Sequence, residues 1–233
     1  FESMTTMSIA ENISAVRGRI GRAAEKSGRR AEEITLVAVT KTHPPEIVDE
    51  AIRCGLTDIG ENRVQEAEQK FPLVKESAVW HFIGHLQRNK VKNVLRFSSI
   101  IHSVDSVRLA AEIDRQTDRP VDIFVEVNVG DEESKYGIRP DETPGFLREI
   151  RRFGSLNCCG LMAIPPLQED PEDVRPYFRK LAEIQREVNR QKIFDEPLTD
   201  LSMGMTDDFE TAIEEGATVV RIGRALFGPR RPR

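Results

Sequence analysis

The chain alternates between two hydrophobic rhythms. Across residues 8–27, apolar side chains recur every three or four positions, at Ile9, Ile13, Val16 and Ile20. That spacing predicts an amphipathic helix, and Gly28 stops it. Ile34-Thr35-Leu36-Val37-Ala38-Val39 then forms an unbroken, β-branched run. This is the pattern of a strand buried on both faces. Pro45 suits the first position of a helix reaching about Cys54. The alternation repeats to the end of the chain. Strands are predicted at 58–59, 79–83, 99–102, 121–127, 156–161, 198–201 and 219–222. Helices are predicted at 63–70, 87–95, 106–116, 143–152, 171–189 and 208–214. Eight strands, each followed by a helix or helical turn, imply a parallel sheet with right-handed crossovers.

Eight such units closing on themselves make a (β/α)8 TIM barrel, here with an extra N-terminal helix covering one end or side. An open doubly wound sheet is the competing architecture. The first strand–helix junction, Val39-Thr40-Lys41-Thr42-His43-Pro44, carries no GxGxxG, which counts against a dinucleotide version. The chain has 233 residues, close to the roughly 250 of one such barrel. Residues 1–6 are expected to lie outside the fold, Phe1-Glu2-Ser3 reading as an expression remnant, and 7–233 to form one domain.

Net charge of −5 argues against nucleic-acid binding, which favours a basic excess. No apolar run approaches the 18 or so residues of a membrane span, and no secretory signal opens the chain. Three cysteines without CxxC spacing suggest reduced thiols in a cytoplasmic protein, with Cys158 and Cys159 on opposite faces of a strand.

In a TIM barrel, chemistry gathers where strands end. Those positions are Lys41, Asn62, His81 to His85, Ser103, Asn128, Met162, Ser202 to Thr206, and Arg221 to Arg224. Lys41 is either a solvated strand exit or an amine facing a partly dry pocket. In the second case burial lowers its pKa, and it can form a Schiff base with a carbonyl compound. Thr40 and Thr42 offer hydroxyls to orient it. Gly223 and Arg224 present backbone N–H groups after the last strand, and Ser202 and Thr206 add hydroxyls from the loop before, a natural phosphate cradle. Thr206 also fits an N-cap for the following helix, and Asn62 fits an N-cap after Gly60-Glu61. His81 and His85 lie four apart, but without the glutamate of HExxH they do not suggest zinc; no metal site is expected. The loop around Ser134-Lys135-Tyr136-Gly137 reads as a lid or as plain surface. A phosphate-bearing carbonyl ligand fits these positions: a sugar phosphate in a class I aldolase, or pyridoxal 5′-phosphate (PLP). An aldolase needs a nearby acid/base group, and no carboxylate is expected at the strand ends except a displaced Asp105.

The sequence closely resembles the PLP homeostasis proteins, single-domain relatives of the alanine racemase N-terminal barrel. The resemblance is carried by Val39-Thr40-Lys41-Thr42, Gly60-Glu61-Asn62-Arg63, Trp80-His81-Phe82-Ile83-Gly84-His85, Leu201-Ser202-Met203-Gly204-Met205-Thr206 and Val220-Arg221-Ile222-Gly223, among others, in order along the chain. Thr40 and Thr206 stand where the family more often has serine. The resemblance implies that Lys41 holds PLP as a Schiff base and that Arg221 faces the pyridine nitrogen. It implies that Ser202, Thr206, Gly223 and Arg224 bind the phosphate, and that Asn62 and His81 line the pocket near the ring. A cation beside the ring nitrogen disfavours its protonation and makes the ring a poorer electron sink.

Alanine racemase also uses a tyrosine base supplied with a C-terminal domain. Tyr136 and Tyr177 fall at no predicted strand end, and the chain leaves no room for that domain. The expectation is a PLP carrier or buffer, a monomer, supporting amino-acid and keto-acid balance without robust catalysis, with PLP-dependent apo-enzymes as candidate partners. A weak amino-acid racemase and a phosphate-binding module without PLP are the alternatives.

Overall fold

The computed structural model describes residues 7–133 and 135–229. The expectations for residues 1–6, for Ser134 and for the last four residues lie outside the described residues.

Eight parallel strands close into a barrel in sequence order. They are β1 (Thr35–Val39), β2 (Asp58–Glu61), β3 (Val79–Phe82), β4 (Ile100–Val104), β5 (Val121–Glu126), β6 (Leu156–Met162), β7 (Asp200–Ser202) and β8 (Val219–Ile222). The ring closes through β1 and β8, where Thr35 lies beside Val219 and Ala38 beside Ile222. The fold is a (β/α)8 TIM barrel.

The helices are α1 (Ile9–Lys26), α2 (Pro45–Arg53), α3 (Val64–Lys70), α4 (Val91–Val94), α5 (Val107–Gln116), α6 (Thr143–Ile150), α7 (Pro171–Arg190), α8 (Phe209–Glu214) and α9 (Arg224–Phe227). A capping box opens α1: Ser8 Oγ accepts from the Glu11 N–H, and Glu11 Oε2 from the Ser8 N–H. The predicted apolar face of α1 is buried at Ile13, Val16 and Ile20. This helix takes the side of the barrel rather than its end, packing against α8 and α9. Arg19 meets Glu210 at 2.6 Å, and Asn12 donates to the Leu226 carbonyl at 2.9 Å.

Most of the core lies between strands and helices, while Val37, Phe124, Met162 and Val219 form a separate cluster inside the ring. Cys158 packs on the outer core and Cys159 on the inner cluster, so the two thiols do face opposite ways. Burial pushes both up to about 12, which keeps them protonated.

Several boundaries move in ways that matter for the site. The second strand runs two residues past 59, so Glu61 is a fully buried strand end. Ser103 lies within β4 rather than after it. The predicted helix at 87–95 splits into a 3₁₀ turn, Arg88–Lys90, and the single turn of α4. The fifth strand ends at Glu126, not at Val127. A carboxylate therefore does stand at a strand end, against the sequence expectation. Beyond it, Asn128 N–H turns to the Ile138 carbonyl, and its side chain bonds the Glu132 carbonyl.

Candidate functional site

The C-terminal ends of β1, β7 and β8 surround a cavity of about 240 Å³. Its walls include Lys41, His43, Pro165, Leu167, Met205, Thr206, Asp208, Arg221, Gly223 and Arg224. Five of the eight expected site residues therefore meet here: Lys41, Thr206, Arg221, Gly223 and Arg224. The other three stand apart. Asn62 borders a wider neighbouring cleft with Arg63, His85 and Lys90. His81 and Ser202 lie in the barrel lumen, where each is buried and hydrogen-bonded to other side chains.

Lys41 follows β1 in a tight turn closed by the His43 N–H on the Thr40 carbonyl, 3.1 Å. Thr42 holds a left-handed φ of +69°. Type II turns need positive φ at this third position and usually place glycine there. The Thr40 hydroxyl does not orient the lysine. It is buried and donates to Glu61 Oε1 at 2.6 Å.

Neither proposed side-chain N-cap forms. Arg63 precedes α3 without a side-chain cap bond, and Asn62 Oδ1 is buried with no partner. Asp208 takes the N-cap position of α8, its carboxylate accepting from Met205 N–H at 2.7 Å. Thr206 Oγ1 instead faces the start of α9, 3.4 Å from Ala225 N. Gly204 makes this loop possible. Its φ is +96°, and a Cβ there would come within 2.6 Å of the Ala212 Cβ. The Arg224 guanidinium is paired with Asp207.

Arg221 enters the cavity from β8 and is almost fully buried. One Nη donates to Ser202 Oγ at 2.5 Å, the other to the Ala163 carbonyl at 3.0 Å. Burial brings its pKa down to about 10, with Glu126 and Asp208 opposing the change, so it stays charged at neutral pH.

Behind Arg221 a row of hydrogen bonds crosses the lumen. Ser202 Oγ meets His102 Nδ1 at 2.8 Å, His102 Nε2 meets His81 Nδ1 at 2.9 Å, and His81 Nε2 meets Asp58 Oδ1 at 2.8 Å. Burial holds His102 well below the ordinary imidazole value, aided by His81 and Arg221, so it is neutral. The Asp58 carboxyl is lowered by hydrogen bonds from His81 and Thr57, which outweigh a raising effect of burial. One assignment uses every donor: Arg221 donates to Ser202, Ser202 to His102, His102 to His81, and His81 to Asp58. The row places a fixed cation under the cavity and anchors it through five strands.

Sequence reasoning missed His102, Glu126 and Asp208. Burial, with the nearby Asp105 charge, raises Glu126 to about 7, while Arg221 pulls it down. Asp208 is raised mainly by burial. The available signal was strand alternation: His102 and Glu126 interrupt apolar runs at positions facing inward. Tyr136 stacks on His85, ring centroids 3.6 Å apart, tying the loop after β5 to the loop after β3. Neither tyrosine lines the cavity. Among the described residues no group of acidic, histidine and cysteine side chains could hold a metal, and no helix is long and apolar enough to cross a membrane.

Comparison with known proteins places this geometry. The family model for the alanine racemase N-terminal domain matches residues 9–231. A pyridoxal phosphate homeostasis protein of Aquifex aeolicus is 45% identical over 229 residues, covering 97% of this chain and 100% of that protein. Its namesake in Escherichia coli K12 is 38% identical, covering 95% and 97%. The solved structure of PipY from Synechococcus elongatus PCC7942 with PLP bound matches with a TM-score of 0.83 at 31% identity, over 95% of this chain and all of that one. Alanine racemase of Corynebacterium glutamicum shares the fold, with a TM-score of 0.67 at 13% identity, over 93% of this chain and 60% of that enzyme. The closed barrel, the lysine after its first strand and these full-length likenesses agree: the chain belongs to the pyridoxal phosphate homeostasis protein family.

Proposed function

We propose that this protein binds PLP in the cavity at the ends of β1, β7 and β8, and that it carries and buffers the cofactor. The observation that carries this reading is the meeting of Lys41, Arg221, Thr206 and Gly223 around one small cavity. The donor set fits the ligand. Lys41 supplies an amine for the aldehyde, Arg221 a buried guanidinium for the ring nitrogen, and Thr206 with the Gly223–Arg224 segment hydroxyl and backbone groups for the phosphate. Gly223 lies close against β1, where a Cβ would sit 3.4 Å from the Val39 carbonyl oxygen. PipY, alike over its whole length, is solved with PLP bound.

When bound, PLP supplies an aldehyde that the Lys41 amine holds covalently with release of water. The chain's own residues then bias the site toward holding. Arg221 is a permanent cation whose donors are fixed by Ser202 and Ala163, so it disfavours protonation of a neighbouring ring nitrogen. Racemisation needs proton delivery on two faces, and neither Tyr136 nor Tyr177 reaches the cavity walls. The phosphate role of Ser202 and the ring-side roles of His81 and Asn62 are replaced in this reading. Ser202 and His81 support Arg221 from below, and Asn62 belongs to the adjoining cleft. Residues 7–233 act as one domain, working as a cytoplasmic monomer, with PLP-dependent apo-enzymes as recipients.

Titration with PLP, followed by absorbance and borohydride trapping, tests the reading. The wild-type chain is expected to yellow and to trap PLP at Lys41, and Lys41→Ala to lose both signals. A wild-type chain that ignores PLP overturns the proposal. Loss of α-deuterium from alanine at rates typical of enzymes, roughly 1–10³ s⁻¹, would instead favour the racemase reading.

A further inference from the structure

Under the Lys41 turn lies a buried cluster of charge that the cavity does not use. Lys70, the last residue of α3, is 5% exposed, and its three N–H donors all have acceptors. They go to the Thr40 carbonyl at 2.8 Å, Glu61 Oε1 at 2.6 Å and Glu66 Oε1 at 2.9 Å. Glu66 Oε1 also accepts from the Thr42 N–H at 2.5 Å. The two peptides that flank Lys41 are thus tied to one ammonium–carboxylate group. One tie holds the carbonyl before it and the other the N–H after it.

Two features of this cluster are costly. Thr42 is a β-branched residue at positive φ, a conformation that persists only where its surroundings enforce it. Glu61 is fully buried, and its second oxygen, Oε2, has no partner. Buried ion pairs are often no more stabilising than apolar residues of the same size, so stability alone is a poor account of this one. What the cluster does achieve is a fixed direction for the residue between its two ties.

We propose that Lys70, acting with Glu61 and Glu66, is a positioning residue that sets the backbone on both sides of Lys41 and so aims its amine into the cavity. This rests on the reading of Lys41 as the PLP-binding lysine. In that step Nζ of Lys41 adds to the aldehyde carbon, a C=N bond forms, and the carbonyl oxygen departs as water. The clamp acts on the reach and angle of Nζ and not on the phosphate end of the cavity, which β7 and β8 build.

The test compares two ligands on the whole chain: PLP, and pyridoxine 5′-phosphate, which has an alcohol in place of the aldehyde and cannot bond to the lysine. Glu66→Ala removes the tie to Thr42 while leaving Lys70 its bonds to Thr40 and Glu61. It is expected to weaken PLP binding about tenfold, the loss of roughly one charge-assisted hydrogen bond, and to leave pyridoxine 5′-phosphate within about twofold. Glu66→Gln keeps an oxygen for the Thr42 N–H and is expected to restore PLP binding to within about threefold. Lys70→Met, if it folds, is expected to slow borohydride trapping at Lys41 more than Glu66→Ala does. Unchanged PLP binding in Glu66→Ala overturns the proposal, as does equal weakening of both ligands, which is what general loosening would give. A wild-type chain that binds PLP without trapping at Lys41 overturns the lysine reading, and this inference with it.

Discussion

Glu126 shows how much a single buried group can govern. It stands at the end of β5 facing the lumen, 8% exposed, with its carboxyl raised from 4.5 to about 7 chiefly by burial. Between those two values the folded chain holds a proton that the unfolded chain has released. Stability therefore falls as pH rises through that window; the contribution is complete below about pH 4.5 and gone above about pH 7. Glu126→Gln imitates the protonated acid at every pH. Its advantage over wild type in urea unfolding should be small at pH 5 and grow to about 3 kcal/mol at pH 8. An advantage independent of pH would show that Glu126 does not titrate in this range. Arg221 offers a complementary check. Arg221→Met removes the donors to Ser202 and the Ala163 carbonyl, and should cost about 2–4 kcal/mol of stability while weakening PLP binding.

At the scale of elements, the strands were the most readable part of the chain. β1, β5 and β8 are buried on both faces, and a parallel strand so placed must be a near-continuous apolar run. The last strand falls on its predicted bounds, Val219–Ile222. α1 was equally plain, because one face is core and the rest is solvent. Ile20→Ala on that helix should cost about 2–4 kcal/mol in denaturant unfolding, and Ser8→Ala about 1 kcal/mol through loss of the capping box. Equal, negligible losses would mean that α1 rides on the barrel without stabilising it. Less was readable where polar residues close a strand. The sequence shows Glu61 only as part of a turn before Asn62, and Glu126 falls inside the predicted strand 121–127 with nothing to set it apart. Their burial depends on Lys70 in one case and on the interior of the ring in the other, and neither environment is local in sequence.

The whole molecule explains why the candidate site was only half visible. Lys41, Thr206, Arg221 and Gly223 are found by looking at the last residues of each strand and just beyond, because barrel geometry gathers strand ends at one face. The lumen row is different. His102 and Ser202 are a hundred positions apart and meet only because β4 and β7 face each other across the ring. No local pattern records that meeting, so the sequence places His81 and Ser202 near the strand ends without showing the hydrogen bonds that join them to Arg221 through His102. His102→Leu should leave both neighbours short of a partner, costing about 2–5 kcal/mol by denaturant unfolding and weakening PLP binding through Arg221. Sedimentation of the wild-type chain should give one species near its chain mass of 26.4 kDa. A concentration-dependent dimer would count against the monomer reading.

The lumen row also has a direction. In the assignment that uses every donor, each one points from Arg221 toward Asp58. Reversing the row would leave a neutral guanidine above and a protonated carboxyl below. The upper group gives up its proton only near pH 10, while the lower one takes a proton only below its ordinary range near pH 4. At neutral pH the row therefore keeps a positive end under the cavity and a negative end at the start of β2, a standing dipole across the barrel floor.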